Sequence, residues 1–209
     1  MRRLVPLLLV FVLAACEATS STAGMSAGLQ PGEDGWRGSP LDRGRTMPDV
    51  SLVDTDGDDY DLAEETSGTP TLLFFGYASC PDICPIHLGA IASSMSSAGV
   101  DHDDLEVVFV TVDPDRDTPE AIDEWLVNFH PRFVGLSGEM EEIERALDEL
   151  DLPGPVVEGA DPRGDGELIG HPAQVIGFDA DGEARRVWPF GTRRADWVAD
   201  LPRLVEEWS

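Results

Sequence analysis

Two largely apolar runs limit the folds open to this chain more than any other feature. Residues Thr71–Tyr77 read TLLFFGY, and residues Leu105–Val112 read LEVVFVTV. Runs that do not alternate with polar residues are typical of strands covered on both faces. Sheets of that kind belong to α/β domains, so the sequence predicts helices on either side of a central sheet.

Helical patterns follow each of these runs. Residues Pro85–Ala98 are predicted to form a helix with proline in its first turn. The pair Thr118-Pro119 predicts an N-cap and the start of a helix that ends near Phe129. Two more helices are predicted over Glu139–Leu150, which is apolar on one side, and over Arg194–Trp208.

Two hairpins complete the predicted sheet, because an Asp-Gly pair between short apolar runs favours a tight turn. They join Val50–Val53 to Tyr60–Leu62 and Val175–Phe178 to Ala184–Val187, and a short strand is predicted over Phe133–Leu136. This order of elements predicts a thioredoxin-like α/β fold, with a central mixed sheet flanked by helices and a β-hairpin towards each end. The domain is predicted to span residues 47–209, with no second domain.

The N-terminus is typical of an export signal. Arg2 and Arg3 precede an apolar run that ends Leu13-Ala14-Ala15-Cys16, which is similar to the lipobox of bacterial lipoproteins. We therefore predict a signal peptide over residues 1–15, a lipid on Cys16 and an extracytoplasmic protein anchored to the cell membrane. A cleaved signal with an incidental cysteine, or an uncleaved anchor, are the alternatives.

The stretch after Cys16 is rich in Ser, Thr, Ala and Gly and has no hydrophobic period. Residues 16–46 are therefore predicted to form a flexible tether, in which Trp36 is given no role.

Charge excludes one class of function. The chain has 41 acidic and 14 basic residues, every one of the latter Arg, and a net charge of −27. Such a surface repels phosphate backbones, so nucleic-acid binding is not expected. We interpret the acidity as a solvated surface that says nothing about an active site.

The chemistry is expected where the first buried strand meets a helix, in the sequence FFGYASCPDICP. Cys80 and Cys84 are four residues apart, and the positive end of the helix dipole favours their thiolate forms. Thiolates attack disulfides and bind soft metals. A structural disulfide is the alternative for an exported chain, but a reactive pair is preferred because so short a loop gains little stability from a crosslink.

A third ligand would close a metal site, and the chain has four histidines. His171 directly precedes the predicted strand Val175–Phe178, which a thioredoxin-like sheet places beside the cysteines. His87 is expected to be an exposed helix residue. His102 and His130 are expected to lie on the surface.

FFGYASCPDICP resembles the signature of the Sco/SenC family of copper-binding assembly factors for cytochrome c oxidase. VDPDRDTP at residues 112–119, His171 before an apolar strand, and WPFG at residues 188–191 are similar to further family segments. The resemblance covers residues 47–208 and implies a thioredoxin-like fold, membrane attachment and copper bound by Cys80, Cys84 and His171. It also implies a metallochaperone that delivers copper to the binuclear centre of the oxidase. Its partner would be the copper-binding subunit of the oxidase or another copper chaperone.

The sequence departs from the family pattern at Gly170, where many members have an acidic residue before the histidine. Pro172 could correspond to the cis-proline of thioredoxin-like redox enzymes, which favours an alternative: an extracytoplasmic thiol-disulfide oxidoreductase that reduces Cys pairs of partner proteins through Cys80 and Cys84. A peroxidase is a third possibility, and it would need little from His171. Asp113, Arg116 and Asp117 are predicted to form an ion-paired structural loop that caps the next helix.

Overall fold

The structure, a computed structural model, describes residues 29–41, 44–164 and 166–209. The predicted signal peptide and Cys16 lie outside this part of the chain. The strands are β1 (Ser39–Pro40), β2 (Ser51–Asp54), β3 (Asp59–Asp61), β4 (Thr71–Gly76), β5 (Glu106–Thr111), β6 (Val134–Ser137), β7 (Val156–Ala160), β8 (Glu167–Gly170), β9 (Val175–Phe178) and β10 (Ala184–Trp188). The helices are α1 (Leu62–Glu65), α2 (Ile83–Ala98), α3 (Pro119–Leu126), α4 (Met140–Glu149) and α5 (Arg194–Trp208). None of the helices in the described ranges is both long and apolar enough to cross a membrane.

Eight strands form one mixed sheet in the order β1-β10-β9-β4-β5-β6-β2-β3. β4, β5 and β6 are parallel to one another, and β9 runs antiparallel to β4. Every residue of β4 is buried, as its apolar sequence predicts, because helices flank the sheet. The predicted α/β fold with a central mixed sheet is confirmed.

Both predicted hairpins are present. β2 pairs with β3, and β9 pairs with β10, each in antiparallel register. In the first turn, the Asp54 carboxylate accepts hydrogen bonds from the backbone N–H groups of Asp56 and Asp58, both at 2.9 Å. These two bonds give partners to backbone N–H groups in the turn that do not pair with a neighbouring strand.

A third hairpin was not predicted. β7 and β8 form a separate two-stranded sheet, and every residue of β7 is exposed. Its sequence therefore has no apolar alternation from which a strand could be predicted. The hairpin ends at Gly170, so it delivers the chain directly to His171.

The predicted tether differs from the structure over residues 29–41. Trp36 is buried, with 3 % of its surface exposed, and its ring stacks on that of Trp208 with centroids 5.2 Å apart. β1 extends the main sheet by pairing with β10. The prediction of a flexible tether up to residue 46 is therefore wrong for this stretch.

A buried carboxylate explains why so polar a segment is ordered. Asp200 is fully buried in α5 and accepts hydrogen bonds from the backbone N–H groups of Arg37 at 3.0 Å and Gly38 at 2.9 Å. It also accepts one from the indole Nε1 of Trp188 at 2.8 Å. These bonds satisfy backbone donors of the segment and compensate for burying the charge.

Candidate metal centre

The two cysteines lie where β4 passes into α2. The helix begins at Ile83, two residues earlier than predicted, so Cys84 occupies its first turn and Cys80 lies in the preceding loop. The backbone N–H of Cys80 donates to the carbonyl oxygen of Tyr77 at 3.1 Å. Both cysteines are buried and neither forms a disulfide.

Residue 76 must be small for Cys84 to fit. A Cβ built on Gly76 would lie 2.6 Å from the Sγ of Cys84 and 3.0 Å from the Phe109 ring. Atoms cannot approach so closely without moving, so the glycine at the end of β4 provides the space that the Cys84 sulfur occupies.

The structure brings His171 to the two sulfurs. Its Nε2 is 3.5 Å from the Sγ of Cys84 and 4.0 Å from the Sγ of Cys80. One ligand atom from each of the three residues lies within 4.8 Å of the other two. No other cluster of three or more His, Cys, Asp or Glu side chains in the described residues has this arrangement.

The hydrogen bond on the far side of the imidazole leaves Nε2 available. The Nδ1 of His171 lies 3.0 Å from the carbonyl oxygen of Pro172. Because a carbonyl can only accept, Nδ1 carries the proton and the lone pair of Nε2 faces the sulfurs. The edge-on ring contact with Tyr77, at 5.6 Å between centroids, further restricts the ring orientation.

The two thiols have opposite protonation preferences. Hydrogen bonds lower the pKa of Cys80 to about 3, the largest of them from the Cys84 side chain, with another from the backbone N–H of Cys84. Burial raises the pKa of Cys84 well above its usual value, and the neighbouring Cys80 raises it further. In its reduced form the pair is therefore a Cys80 thiolate that accepts a hydrogen bond from the Cys84 thiol.

A cavity gives access to this group. Residues from both sides of the site line it, among them Tyr77, Cys80, Asp82, Glu158, Ile169 and His171. The phenol oxygen of Tyr77 accepts a hydrogen bond from the backbone N–H of Ile169 at 3.3 Å. This bond connects the end of β4 to the hairpin that carries His171.

The predicted ion-paired loop is present and supports the cysteine loop. Arg116 forms an ion pair with Asp113. The carboxylate of Asp117 accepts hydrogen bonds from the backbone N–H of Ala78 at 2.8 Å and from the hydroxyl of Thr111 at 2.6 Å. The helix cap itself is Thr118, as the Thr118-Pro119 pair predicts.

The prediction that His87 is exposed is wrong. Only 2 % of its surface is accessible, and its ring packs between those of Phe74 and Phe190, at 5.3 and 5.5 Å between centroids. Burial lowers the pKa of His87 to about 4, and its Nε2 has no hydrogen-bond partner. Its burial depends on Phe190, which comes from a distant part of the sequence.

The remaining candidates stand apart from the metal centre. The rings of His102 and His130 stack on each other with centroids 5.9 Å apart, and both residues are half-buried rather than fully on the surface. Neither belongs to the three-residue group.

The described residues contain no cis peptide bond, so the suggested cis-proline at Pro172 is wrong.

Comparison with known sequences decides the family. The sequence model of SCO1/SenC matches residues 39–206, most of the chain. The chain belongs to the SCO1/SenC family. A SCO2-like protein of Rickettsia felis is 33 % identical over 135 residues, which cover 65 % of this chain and 65 % of that relative. The match thus spans just under two thirds of the relative's length.

Solved structures of SCO1/SenC proteins share the fold. ScoI of Bradyrhizobium japonicum, solved with copper bound, is 29 % identical and superposes with a TM-score of 0.64, covering 80 % of this chain and 98 % of that one. BsSco, described as a member of the Sco family of cytochrome c oxidase assembly proteins with a disulfide switch, is 20 % identical. Its TM-score is 0.60, and the match covers 81 % of this chain and 97 % of BsSco. This second likeness concerns the fold alone.

Proposed function

We propose that the chain is a copper chaperone that holds copper between Cys80, Cys84 and His171 and delivers it for assembly of the binuclear copper centre of cytochrome c oxidase. One observation carries the proposal: two sulfurs and an imidazole nitrogen from distant parts of the chain face one another within 4.8 Å. Copper bound to a relative, ScoI of Bradyrhizobium japonicum, supports the choice of metal.

The spacing fits a single ion. Bonds of about 2.0 Å to nitrogen and about 2.3 Å to sulfur, at a trigonal angle, would separate the two atoms by about 3.7 Å. The observed separations of 3.5 and 4.0 Å lie on either side of that value. Two soft thiolates suit Cu(I), and the borderline imidazole allows Cu(II) as well.

Proton movement gives the chain a means of holding and releasing the ion. Copper meets the Cys80 thiolate first, together with the Nε2 of the neutral His171 imidazole. Binding through the second sulfur then releases the Cys84 proton. At an acceptor, ligand exchange returns a proton to Cys84, whose burial favours the neutral thiol.

The proposed location follows from the N-terminal sequence. A lipid on Cys16 would hold the domain at the outer face of the cell membrane, where the copper-binding subunit of the oxidase, or another copper chaperone, could dock. The SCO1/SenC family match, together with the family resemblance of the cysteine motif, supports this partner.

Copper titration of the reduced full chain tests the proposal. Wild type is expected to bind one copper ion and to show a thiolate-to-Cu(II) absorption band. His171→Ala should lose the band and at least tenfold in affinity, because one of three ligands is gone. His130→Ala is the matched control and should behave as wild type. An unchanged spectrum in His171→Ala would contradict the proposed site.

The lowered pKa of Cys80 and the raised pKa of Cys84 favour a second function. As a thiol-disulfide reductase, the Cys80 thiolate would attack a partner disulfide and form a mixed disulfide, releasing one partner thiolate. Cys84 would then attack the Cys80 sulfur, so that a Cys80–Cys84 disulfide forms and the partner leaves with one thiolate and one thiol, carrying two electrons and the Cys84 proton. Cys84→Ser would trap the mixed disulfide, whereas His171→Ala should leave this activity nearly intact.

A further inference from the structure

Two carboxylates, those of Asp82 and Glu158, line the copper cavity outside the ligand set, and only Glu158 comes from the hairpin that carries His171. Glu158 lies on β7, and its side chain lines the same cavity as Cys80 and His171. It does not belong to the group of converging ligand atoms. A negative side chain beside a cation site nevertheless lowers the energy of an approaching cation.

The backbone of the hairpin is irregular at this residue. Val157 pairs with Ile169 and Gly159 pairs with Leu168, so Glu158 is the extra residue of a β-bulge. Bulges change the direction of a side chain relative to a regular strand. Gly159 follows with φ +141°, a conformation that residues with side chains rarely adopt. The local sequence therefore permits the bulge that directs Glu158.

The opposite strand leaves space for the carboxylate. A Cβ built on Gly170 would lie 2.6 Å from the Oε1 of Glu158 and 3.2 Å from its Cδ. Residue 170 directly precedes His171, so the carboxylate occupies the position where a side chain of that residue would begin. A side chain at residue 170 would displace the Glu158 carboxylate from this position.

We propose that Glu158 is the entry residue of the copper cavity: it attracts the incoming ion and passes it to Cys80 and His171 without joining the final ligand set. The inference rests on the proposed copper function and adds a residue that controls the rate of loading. The bulge, the neighbouring Gly159 and the lack of a side chain at Gly170 together place the Glu158 carboxylate at the cavity.

The rate of copper uptake tests this role. Cu(II) is mixed with the reduced full chain in a stopped-flow instrument, and growth of the thiolate-to-copper band is followed. Glu158→Gln should slow association about three- to tenfold at low ionic strength, because one charge is removed near a divalent cation. The difference should shrink in about 0.5 M salt, while stoichiometry and the final spectrum stay unchanged.

Two further variants make the test specific. Glu167→Gln removes the same charge from β8 at an exposed position and should leave the rate unchanged. In the exchange variant Glu158→Gly with Gly170→Asp, the carboxylate moves to the other strand without a clash, and the rate should recover.

Equal rates for Glu158→Gln and Glu167→Gln would overturn the entry role while leaving the copper site standing. A lost band in Glu158→Gln would also overturn it, since Glu158 would then be a ligand. Failure of wild type to bind copper would overturn both this inference and the proposed function.

Discussion

The sulfur of Cys84 occupies the space that a side chain on Gly76 would need: a Cβ there would lie 2.6 Å from Sγ. The last residue of β4 therefore sets the position of a ligand that is itself carried by α2. Strand and helix must keep this close approach for the three ligand atoms to meet.

Gly76→Ala should disturb the copper site directly. The added methyl group must displace the sulfur or the Phe109 ring, which should cost about 1–3 kcal/mol in the free energy of unfolding. Copper affinity should fall at least tenfold as well, measured by titration. The control is Gly89→Ala in α2, where the nearest atom to the new Cβ is 3.9 Å away. That change should stabilise the helix by about 0.5–1 kcal/mol, and wild-type affinity in Gly76→Ala would contradict the prediction.

Glu106 should make the fold less stable as the pH rises. Burial, and after it the nearby Glu65, raise the pKa of Glu106 to about 7. The folded chain thus keeps a proton that the unfolded chain has lost, so stability falls between about pH 4.5 and 7. Glu106→Gln should therefore exceed wild type by about 2 kcal/mol at pH 8 and lose this advantage towards pH 5.

Denaturant unfolding at several pH values measures the effect of Glu106. The exposed Glu64→Gln in α1 serves as control and should track wild type throughout. If Glu106→Gln kept a constant difference from wild type at every pH, the carboxyl group would not titrate as its burial requires.

His87 should make the fold less stable as the pH falls, the opposite of the effect of Glu106. Burial lowers its pKa to about 4, so the unfolded chain takes up a proton first as the pH falls below about 6.5. Stability is lost progressively over that window, by up to about 3 kcal/mol. His87→Leu should therefore gain stability relative to wild type between pH 6.5 and 4, as followed by thermal unfolding. A parallel pH profile in the two proteins would be the contrary result.

Asp200 should hold the segment of residues 29–41 in place. Asp200→Asn replaces an acceptor by a group that also donates, and so leaves buried N–H groups of this segment without a partner. The expected loss is about 2–4 kcal/mol in the free energy of unfolding. Tryptophan fluorescence should report it, because Trp36 and Trp188 lie nearby.

Asp200 is not one of the three proposed ligands, so its effect on stability can be measured separately from any effect on the metal centre. The copper spectrum of Asp200→Asn should match wild type once the protein is folded. The exposed Asp123→Asn in α3 should change neither property. A stable Asp200→Asn variant would show that other contacts are sufficient to order the segment.

The sequence predicted those elements whose burial or turn geometry follows from a short local pattern. The unbroken apolar run of β4 requires burial on both faces, and an Asp-Gly pair favours a tight turn wherever it occurs. The spacing of Cys80 and Cys84 at a strand end, together with the family resemblance, pointed to the residues that meet His171. Their role as copper ligands remains a prediction.

Most of the features that the sequence did not predict depend on residues that are far away along the chain. Trp208 lies beside Trp36 and contributes to its burial, and Phe190 does the same for His87. The β7–β8 hairpin buries none of its first strand, so no periodicity marked it. Glu158 could not have been singled out either, since its position depends on a bulge and on the missing side chain of Gly170.

The docking of residues 29–41 also limits how far the domain can stand from a bilayer. A fully extended chain from Cys16 to Leu29 would reach about 45 Å, whereas one extending to residue 46 would reach about 100 Å. With a lipid on Cys16, the shorter reach would confine the domain to a layer close to the headgroups. An acceptor would then have to present its empty copper site within that layer.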